Sequence, residues 1–290
     1  MSEPDVSVVI PCRDVVDVVE DQLRALQAQD FPGRFEVVLS DNGSRDGLAD
    51  HVEAWAREFG LDLRRVDSSA VGGVSHARNV GLRAARAPVV AICDADDLVV
   101  PGWLRALAEA ARGAELVGGV MDVISLNDEV RRAWRPGPPA DGLPQKFGFL
   151  PYAMGCNLAV HRDVALGLGG WDETYVAGGD DVDFAWRLQL AGHRLAVATD
   201  AVVQYRYRTD LPGTARQFRA YARCEDRLLR QFAPAGARPE KPSRFRRDLS
   251  WLVRNVRDVR GDEAARGRWV CRFATFRGRT AGNLRGALGR

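Results

Sequence analysis

The sequence lacks any long apolar run. Its longest apolar segments, such as Ala87–Cys93, fall far short of the roughly 20 residues that span a bilayer. The amino terminus has no basic stretch followed by apolar residues, so no signal peptide is visible. With 290 residues, 46% of them hydrophobic, the chain has enough material for one large α/β domain plus an appendage, or two modest domains. We expect a protein that is soluble or peripheral to a membrane.

Cysteines at metal-binding spacing are also lacking. The five cysteines are scattered, odd in number and never arranged as CxxC, which argues against a disulfide framework and against a zinc site. A reducing compartment fits this usage better, and we expect a cytoplasmic protein. Cys12 and Cys93 lie inside apolar runs, where a cysteine usually acts as a small buried hydrophobic residue.

Three catalytic signatures are missing as well. The sequence contains no GxxxxGK[ST] loop, no GxGxxG turn and no Ser-His-Asp spacing. These absences argue against a P-loop kinase, a dinucleotide-dependent dehydrogenase and a hydrolase with a catalytic triad.

Charge is almost balanced over the whole chain but unevenly distributed. The formal net charge is +2, from 41 basic and 39 acidic residues. Residues 235–290 contain 15 basic and 5 acidic residues, which leaves 26 basic and 34 acidic residues in the rest of the chain. An acidic body therefore precedes a basic tail. The basic residues form no recognisable nucleic-acid-binding module, so we expect no nucleic-acid partner.

Apolar runs and helical periodicity alternate through the first hundred residues. Such a rhythm predicts a largely parallel sheet with helices on both faces. The predicted strands are Asp5–Pro11, Phe35–Leu39, Leu61–Val66 and Val89–Cys93, and helices are predicted at Val15–Gln29, Leu48–Phe59 and Ser75–Ala85. Beyond them we predict a helix at Pro101–Ala111, strands within Glu115–Ser125, Gly155–Val160 and Leu195–Tyr207, and a helix at Phe184–Ala191. Arg135–Pro151 is rich in Pro and Gly and predicts a long surface loop with the character of a lid.

Polar clusters follow three of the predicted strands. They are Pro11–Asp14, Asp41–Ser44 and Asp94–Asp97. Ligands of open α/β sheets bind beyond the carboxyl ends of the strands, so we expect the clusters to converge on one crevice. Asp41-Asn42-Gly43 is also ordinary turn chemistry, although a carboxylate there suits a nucleobase or a ribose edge.

Asp94-Ala95-Asp96-Asp97 places three carboxylates within four residues. They repel one another, and Mg²⁺ or Mn²⁺ prefers such oxygen ligands together with substrate phosphates. The alternative is a solvated acidic turn that caps the following helix, with Asp97 near its start. Position at a strand end beside two other polar clusters favours a site.

Two helix starts carry further candidates. Gly72-Gly73 precedes a helix for which Ser75 is the predicted N-cap, and Arg78 in its first turns suits a phosphate or a base. Asp180, Asp181 and Asp183 follow a second glycine pair, where acidic residues are common for dipole reasons alone. Adjacent carboxylates also raise one another's proton affinity, which suits a general base.

The order of motifs resembles the family 2 glycosyltransferases with the GT-A fold. The matching segments are VSVVIPCRD (6–14), SDNGSRDG (40–47), ARNVGL (77–82), ICDADD (92–97), GCNLAVHRD (155–163), GGWDE (169–173) and GGDDVDFAWRL (178–188). The resemblance implies an α/β protein with a Rossmann-like, mostly parallel sheet flanked by helices and followed by a helical extension. It divides the chain into a GT-A domain at 1–210 and a basic helical extension at 211–290.

The resemblance implies a transferase that inverts the anomeric centre and is not processive. The donor would be a nucleotide-diphosphate sugar, with a UDP-sugar favoured, and the acceptor a carbohydrate, lipid-linked or other hydroxyl. Mn²⁺ or Mg²⁺ on Asp96 would bridge the phosphates. Asp181 would be the general base, with Asp180 holding the acceptor or the base in place. A role in bacterial polysaccharide or glycoconjugate biosynthesis follows from the same resemblance.

The remaining implied contacts divide between donor and acceptor. Asp41 would hold the base or ribose, Arg78 with Asn79 would line the base and diphosphate pocket, and Asp94 would face the ribose and sugar. Trp171 and Asp172 would shape the acceptor side. The full implied donor set is Pro11, Cys12, Arg13, Asp14, Asp41, Arg78, Asn79, Asp94, Ala95 and Asp96.

This sequence departs from the family pattern at two positions. The family often has a metal-binding histidine on the strand near Ala201–Tyr205, where this chain has Gln204 or Tyr205, so Gln204 is the candidate second ligand. Arg13 stands where the family often has tyrosine, which affects the expected base contacts. The chain also lacks a QxxRW motif and membrane-spanning helices, unlike processive synthases.

Two readings of the tail and two other functions stay open. The basic helices after Thr214 suit either packing on the acidic body or contact with an anionic membrane, such as the inner face of the plasma membrane. A nucleotidyltransferase also uses an acidic metal site, but it needs a basic Gly-rich loop after the first strand, which Pro11–Asp14 does not provide. A non-catalytic nucleotide-sugar-binding protein is the third candidate.

Overall fold

The first half of the chain forms the parallel part of the sheet. The computed structural model describes residues 3–135, 137–139, 142–176, 178–239 and 242–287. The strands follow the order β3-β2-β1-β4 and pair in parallel: β1 (Val6–Cys12), β2 (Phe35–Asp41), β3 (Asp62–Asp67) and β4 (Val89–Cys93). All four predicted strands are confirmed. The inner strands β1 and β4 are buried on both faces, which explains their continuous apolar sequence.

The second half continues the same sheet with mixed directions. Its strands are β5 (Leu98–Val99), β6 (Leu116–Asp122), β7 (Asn157–His161) and β8 (Leu195–Gln204). From β4 the order is β7-β6-β8-β5; β7 is antiparallel to both neighbours, and β8 is parallel to β6 but antiparallel to β5. The predicted parallel arrangement therefore holds most strictly in the first half. Strand β5 is too short to show any periodicity, and the sequence did not predict it.

Helices cover both faces of the sheet. One face packs against α1 (Val16–Gln27), α2 (Leu48–Phe59) and α4 (Trp103–Ala111), through side chains such as Leu23, Trp55 and Leu104. The other face packs against α3 (Val74–Ala84), α6 (Arg162–Gly167) and α7 (Asp180–Leu190). Each helix buries an apolar stripe, so the two-faced arrangement predicted from the alternation is confirmed.

Two helix starts differ from their predictions. Helix α3 begins at Val74 behind Gly73 (φ +141°), so Ser75 lies inside the helix and the prediction that it is the N-cap was wrong. The Ser75 hydroxyl is buried and has no hydrogen-bond partner among the described residues. Helix α7 begins at Asp180 behind Gly179 (φ +87°), earlier than the predicted Phe184. At both starts a glycine adopts a conformation that other residues rarely accept.

Three helices of the described chain form the carboxyl-terminal extension, and the first and third of them pack on the body. They are α8 (Leu211–Phe232), α9 (Pro242–Arg254) and α10 (Glu263–Ala287). Leu228 and Phe232 of α8 are buried in a cluster with Trp186 of α7. Gly278 of α10 lies so close to α8 that an added β carbon would be 2.6 Å from the Arg219 carbonyl oxygen. Within the described residues, no helix combines the length and apolar character needed to cross a bilayer.

Ion pairs join the three helices to one another. The carboxylate of Asp248 on α9 accepts hydrogen bonds from Arg272 (2.8 Å) and Arg279 (3.2 Å) of α10, and Arg279 also donates to Glu225 of α8 at 2.8 Å. Part of the basic charge of the tail is therefore neutralised inside the extension. Where a domain boundary falls stays a prediction.

The predicted loop at Arg135–Pro151 is fastened to the body in its described part. Phe149 packs edge-on against Trp186 with ring centres 5.0 Å apart, and the Trp186 indole donates to the Leu150 carbonyl at 2.7 Å. Arg135, after helix α5 (Glu129–Trp134), lies over the ring of Tyr207 at 3.9 Å. A lid role for this segment stays a prediction.

Candidate active site

A cleft of about 710 Å³ opens between the carboxyl end of β4 and helix α8. Its volume is in the range of small-molecule binding sites. We call one side the sheet wall, which comprises Arg78, Asp94, Asp96, Asp180 and Asp181. The sequence predicted all five as site residues, although they are up to a hundred positions apart in the chain, and the fold brings them to one cleft.

Arg78 is the electrostatic centre of the sheet wall. Its side chain is 6% exposed, and it pairs with Asp180 at 2.7 Å and with Asp94 at 3.6 Å. Burial alone would lower the pKa of Arg78, but Asp180 and Asp94 raise it, so the guanidinium keeps its charge. Gly155 lies against the guanidinium, since an added β carbon would be 2.7 Å from Cζ. The glycine leaves the space that this buried cation occupies.

Asp181 has the environment of a general base. Its carboxylate accepts hydrogen bonds from the Val182 amide (2.8 Å) and the Gly155 amide (3.4 Å). Burial and the neighbouring charge of Asp180 raise the pKa of Asp181 to about 6, against the lowering effect of Arg78. A carboxyl group with this pKa is mostly ionised near neutral pH and accepts a proton more readily than an ordinary aspartate.

The carboxylates after β4 differ in role. Burial raises the pKa of Asp94, Arg78 opposes this rise, and Asp96 adds to it. Asp97, for which the sequence allowed either a metal-binding or a helix-capping role, is 1% exposed and accepts a hydrogen bond from the Arg206 amide at 2.8 Å. Burial and the charge of Asp94 raise the pKa of Asp97 to about 9. It ties β4 to the end of β8 rather than capping α4, whose N-cap is Gly102.

The site has donor atoms that fit a hard divalent cation. Asp94 and Asp96 both line the cleft, and Asp94, Asp97 and Cys156 have ligand atoms within 4.8 Å of one another. The Oδ2 atom of Asp97 is buried without a hydrogen-bond partner among the described residues. Carboxylate oxygens suit Mn²⁺ or Mg²⁺. Gln204 pairs with Leu98 and Asp122 in the sheet and is not among the residues that line the cleft.

The residues predicted for the nucleotide form a neighbouring loop cluster. Asp41 accepts hydrogen bonds from the Ser44 amide (2.8 Å) and from Arg65 (2.7 Å), and these groups lower its pKa although burial would raise it. Asp14 accepts from the Arg45 amide at 2.7 Å. The loops after β1 and β2 therefore contact each other, and one crevice shared with Asp94–Asp97 stays a prediction. The following predicted residues are not among those that line the cleft: Pro11, Cys12, Arg13, Asp14 and Asp41.

Asn42 holds this loop cluster to the start of α3. Its amide nitrogen donates to the carbonyls of Ser68 (2.5 Å) and Val71 (2.8 Å), and its Oδ1 accepts from the Gly73 amide at 2.8 Å. Its backbone amide donates to the Cys12 carbonyl at 2.8 Å. The sequence showed Asn42 only as a turn residue, because these contacts come from distant segments.

Three predicted site residues lie behind the cleft. Asn79 is buried and clamps Trp171, to whose carbonyl it donates (2.8 Å) and from whose amide it accepts (2.9 Å). Trp171 itself is 1% exposed and stacks on Phe184 at 4.2 Å. Asp172 accepts from Arg227 of α8 at 2.8 Å. These contacts hold the turn before α7 in position, and direct substrate contact by the three residues stays a prediction, as it does for buried Ala95.

The opposite side of the cleft was largely missed by the sequence analysis. We call it the helix wall, which comprises Arg208, Arg216, Gln217 and Tyr221. Gln217 donates to the Tyr221 hydroxyl at 2.9 Å, and burial and the charge of Asp181 raise the pKa of Tyr221 to about 12. The sequence signal for this wall was the mixture of Arg and Tyr in residues 205–221. The same mixture is equally typical of an ordinary basic helix.

Comparison with known proteins gives a consistent family. The model of glycosyl transferase family 2 matches residues 7–168. The chain is 26% identical to the glycosyltransferase AglE of Haloferax volcanii over 97% of both chains. It is 31% identical to the pre-mycofactocin glycosyltransferase of Mycobacterium tuberculosis over 72% of this chain, but spans only 44% of that protein.

Solved structures show the same fold. The mannosyltransferase PcManGT of Pyrobaculum calidifontis, in complex with GDP-Man and Mn²⁺, aligns over the full length of this chain with a TM-score of 0.60 and 23% identity. Residues 1–349 of S. aureus TarS, in complex with UDP-GlcNAc, align over 98% of this chain with a TM-score of 0.58 and 15% identity. Both likenesses concern the fold, and they agree with the GT-A architecture expected from the sequence.

Proposed function

The chain belongs to glycosyltransferase family 2, and from this premise we propose that it transfers a sugar with inversion from a nucleotide-diphosphate sugar to an acceptor hydroxyl. That it is a glycosyltransferase follows from the family and its relatives. The observation that carries the finer proposal is Asp181, a carboxylate with a pKa of about 6, in one cleft with the Arg78–Asp94 pair.

The proposed reaction is a single displacement. The acceptor oxygen attacks the anomeric carbon while its proton passes to Asp181, and the bond between that carbon and the diphosphate oxygen breaks. The electron pair of this bond stays on the leaving nucleoside diphosphate. Arg78 stabilises the growing negative charge from a buried position, where a fixed charge acts strongly. Asp180 holds Arg78 in place through their 2.7 Å ion pair.

We further propose that Asp96, with Asp94 beside it, holds Mn²⁺ or Mg²⁺ against the diphosphate. A bound divalent ion would neutralise charge on the leaving group. The donor set of carboxylates in the cleft supports this assignment. We favour a UDP-sugar as donor; the structural neighbours crystallised with GDP-Man and with UDP-GlcNAc make both nucleotides necessary probes.

We also propose that the extension contacts an anionic membrane. Phe245, Leu249 and Val253 are exposed along one side of α9, and Val256 continues the row. Five exposed arginines lie on the same segment: Arg246, Arg247, Arg254, Arg257 and Arg260. An apolar stripe flanked by arginines is the pattern of helices that lie at a lipid surface. This contact would suit a lipid-linked acceptor.

The experiment is a product assay with Asp181→Asn. Wild type is incubated with UDP- and GDP-sugars, Mn²⁺ and candidate acceptors, and nucleoside diphosphate and pyrophosphate are measured separately. We expect wild type to release nucleoside diphosphate and the variant to lose about 10²- to 10⁴-fold in kcat with unchanged donor binding. Asp50→Asn is the matched control, because Asp50 is exposed on α2 and lies outside the cleft.

The same assay separates the alternatives. Pyrophosphate release would identify a nucleotidyltransferase instead. Donor binding without turnover by wild type would favour a non-catalytic binding protein. Full transfer activity in the Asp181→Asn variant would remove Asp181 from the role of base.

A further inference from the structure

The cleft contains more basic side chains than its ion pairs and other contacts engage. The sheet wall offers four carboxylates. Among the described residues, six basic side chains line the cleft: Arg78, Arg135, Lys146, Arg206, Arg208 and Arg216. Arg78 pairs with Asp180, and Lys146 lies 3.3 Å from Glu225. The Arg135 guanidinium lies over aromatic rings. Arg206 donates from Nε to the Asp96 carbonyl at 2.9 Å. Four of the six cations therefore already have partners.

Arg208 and Arg216 are different. Both are exposed on the helix wall, and neither makes an ion pair or hydrogen bond with a described residue. The nearest acidic residue in sequence, Asp210, is engaged as the N-cap of α8, where it accepts from the Gly213 amide at 2.6 Å. Two unpaired guanidinium groups thus face one cleft from the start of α8. An anion that enters the cleft would meet both of them without having to displace another partner.

Guanidinium groups are well suited to bind oxyanions such as phosphate. Their planar arrangement of N–H donors matches two phosphate oxygens at once. The position of the pair also matters, because Arg206, two residues before Arg208, contacts the backbone of Asp96 on the sheet wall. Arg208 and Arg216 therefore belong to a segment whose first residues contact the sheet wall and whose last residues lie on α8.

We propose that Arg208 and Arg216 form a phosphate-binding subsite on the helix wall. The proposal rests on the proposed function and deepens it, because it names the anion that the second side of the cleft binds. That anion is a phosphate or diphosphate group, carried by the sugar donor or by the acceptor.

Binding measurements separate the two sources. Arg208→Gln, Arg216→Gln and the double variant are titrated calorimetrically with UDP, GDP and uridine, each with Mn²⁺ and with EDTA. For a donor subsite, the double variant binds one nucleoside diphosphate at least about tenfold more weakly than wild type, while uridine binding is unchanged. That tenfold corresponds to about 1.4 kcal/mol. Arg223→Gln, on an exposed part of α8 outside the cleft, is the matched control.

For an acceptor subsite, inorganic pyrophosphate is titrated into protein saturated with the nucleoside diphosphate. Wild type then binds pyrophosphate and the double variant loses this binding at least about tenfold, with nucleotide affinity unchanged. The proposal is overturned if the double variant binds both the nucleotide and pyrophosphate as wild type does. All variants are at exposed positions, and equal melting temperatures check that they fold.

Failure of the proposed function gives a separate result. If wild type binds neither UDP nor GDP, the donor assignment fails. Pyrophosphate titrated into the nucleotide-free protein then still tests the arginine pair, with loss in the double variant supporting the subsite and equal binding overturning it.

Discussion

The two walls of the cleft hold their charges in opposite ways. On the sheet wall, Arg78 is buried, paired with two carboxylates and fitted against Gly155. On the helix wall, Arg208 and Arg216 are exposed and have no partner among the described residues. A buried, paired charge is positioned before substrate arrives, and an exposed one adjusts to what binds. Substitutions should therefore act through geometry on the sheet wall and through charge on the helix wall.

After the loss of Asp181 itself, the largest effect should come from Gly155→Ala. An added β carbon would lie 2.7 Å from Cζ of Arg78, so the guanidinium must shift, and misplacement of about 1 Å costs about 100-fold in rate. We expect kcat to fall by that order with little loss of fold, measured by steady-state kinetics and thermal unfolding. Gly167→Ala is the control, because its added methyl group meets nothing within 4 Å. If the Gly155→Ala variant kept the wild-type kcat, the idea that the sheet wall acts through the geometry of its buried charge would be contradicted.

The second prediction tests whether the extension is as closely packed as the body. In Gly278→Ala the new β carbon would meet backbone of α8 at 2.6 Å, and the helices must separate. Overpacking of this kind costs about 1–3 kcal/mol, partly offset by the better helix propensity of alanine. We expect a melting temperature several degrees lower, by calorimetry. An unchanged value would show that α10 moves freely against α8.

The third prediction concerns pH. The base must be ionised, and the pKa of Asp181 is raised to about 6, so kcat should fall as pH drops through 6, by about tenfold per unit below it. Arg208→Gln should leave this profile unchanged, since the hydrogen bonds of the Asp181 carboxylate come from Gly155 and Val182 and not from Arg208. The measurement is the pH dependence of kcat at saturating donor. A profile flat down to pH 4 contradicts the role of Asp181.

The smallest effect is expected for the binding of the extension to lipid vesicles. Leu249→Ser with Val253→Ser should weaken sedimentation with phosphatidylcholine vesicles containing phosphatidylglycerol about five- to tenfold, since each exposed side chain buries only part of its area. Ile124→Ser with Leu190→Ser, exposed on the body, is the control. Equal binding by both pairs would contradict the membrane contact. Loss of self-association in gel filtration instead would identify the stripe as a contact between two copies.

Local sequence patterns predicted much of the fold and part of the site. The β-branched run of Val6–Cys12 and the periodicity of α2 depend on near neighbours, so they were visible. The order of the motifs predicted Asp94, Asp181 and Arg78 as residues of one site. All three line one cleft in the structure, and their roles stay a prediction.

What escaped prediction depends on contacts between distant segments. No local pattern shows that Gly155 faces Arg78 or that Asp97 holds the Arg206 amide. The strand directions in the second half of the sheet were not predicted for the same reason. They depend on how the chain returns to the sheet at β7 and β8. Ser75 failed as an N-cap since Gly73 begins the helix instead.

Gly178 lies against the ring of Tyr221, where an added β carbon would come within 2.3 Å of the ring. The missing side chain lets this ring of the helix wall approach the turn before α7 closely. The distance between the two walls at this point is thus determined by the absence of a β carbon at Gly178. Because Gly178 also has a positive φ (+109°), where other residues are strained, the entrance is most simply resized by a change at Tyr221, which leaves the carboxylates untouched.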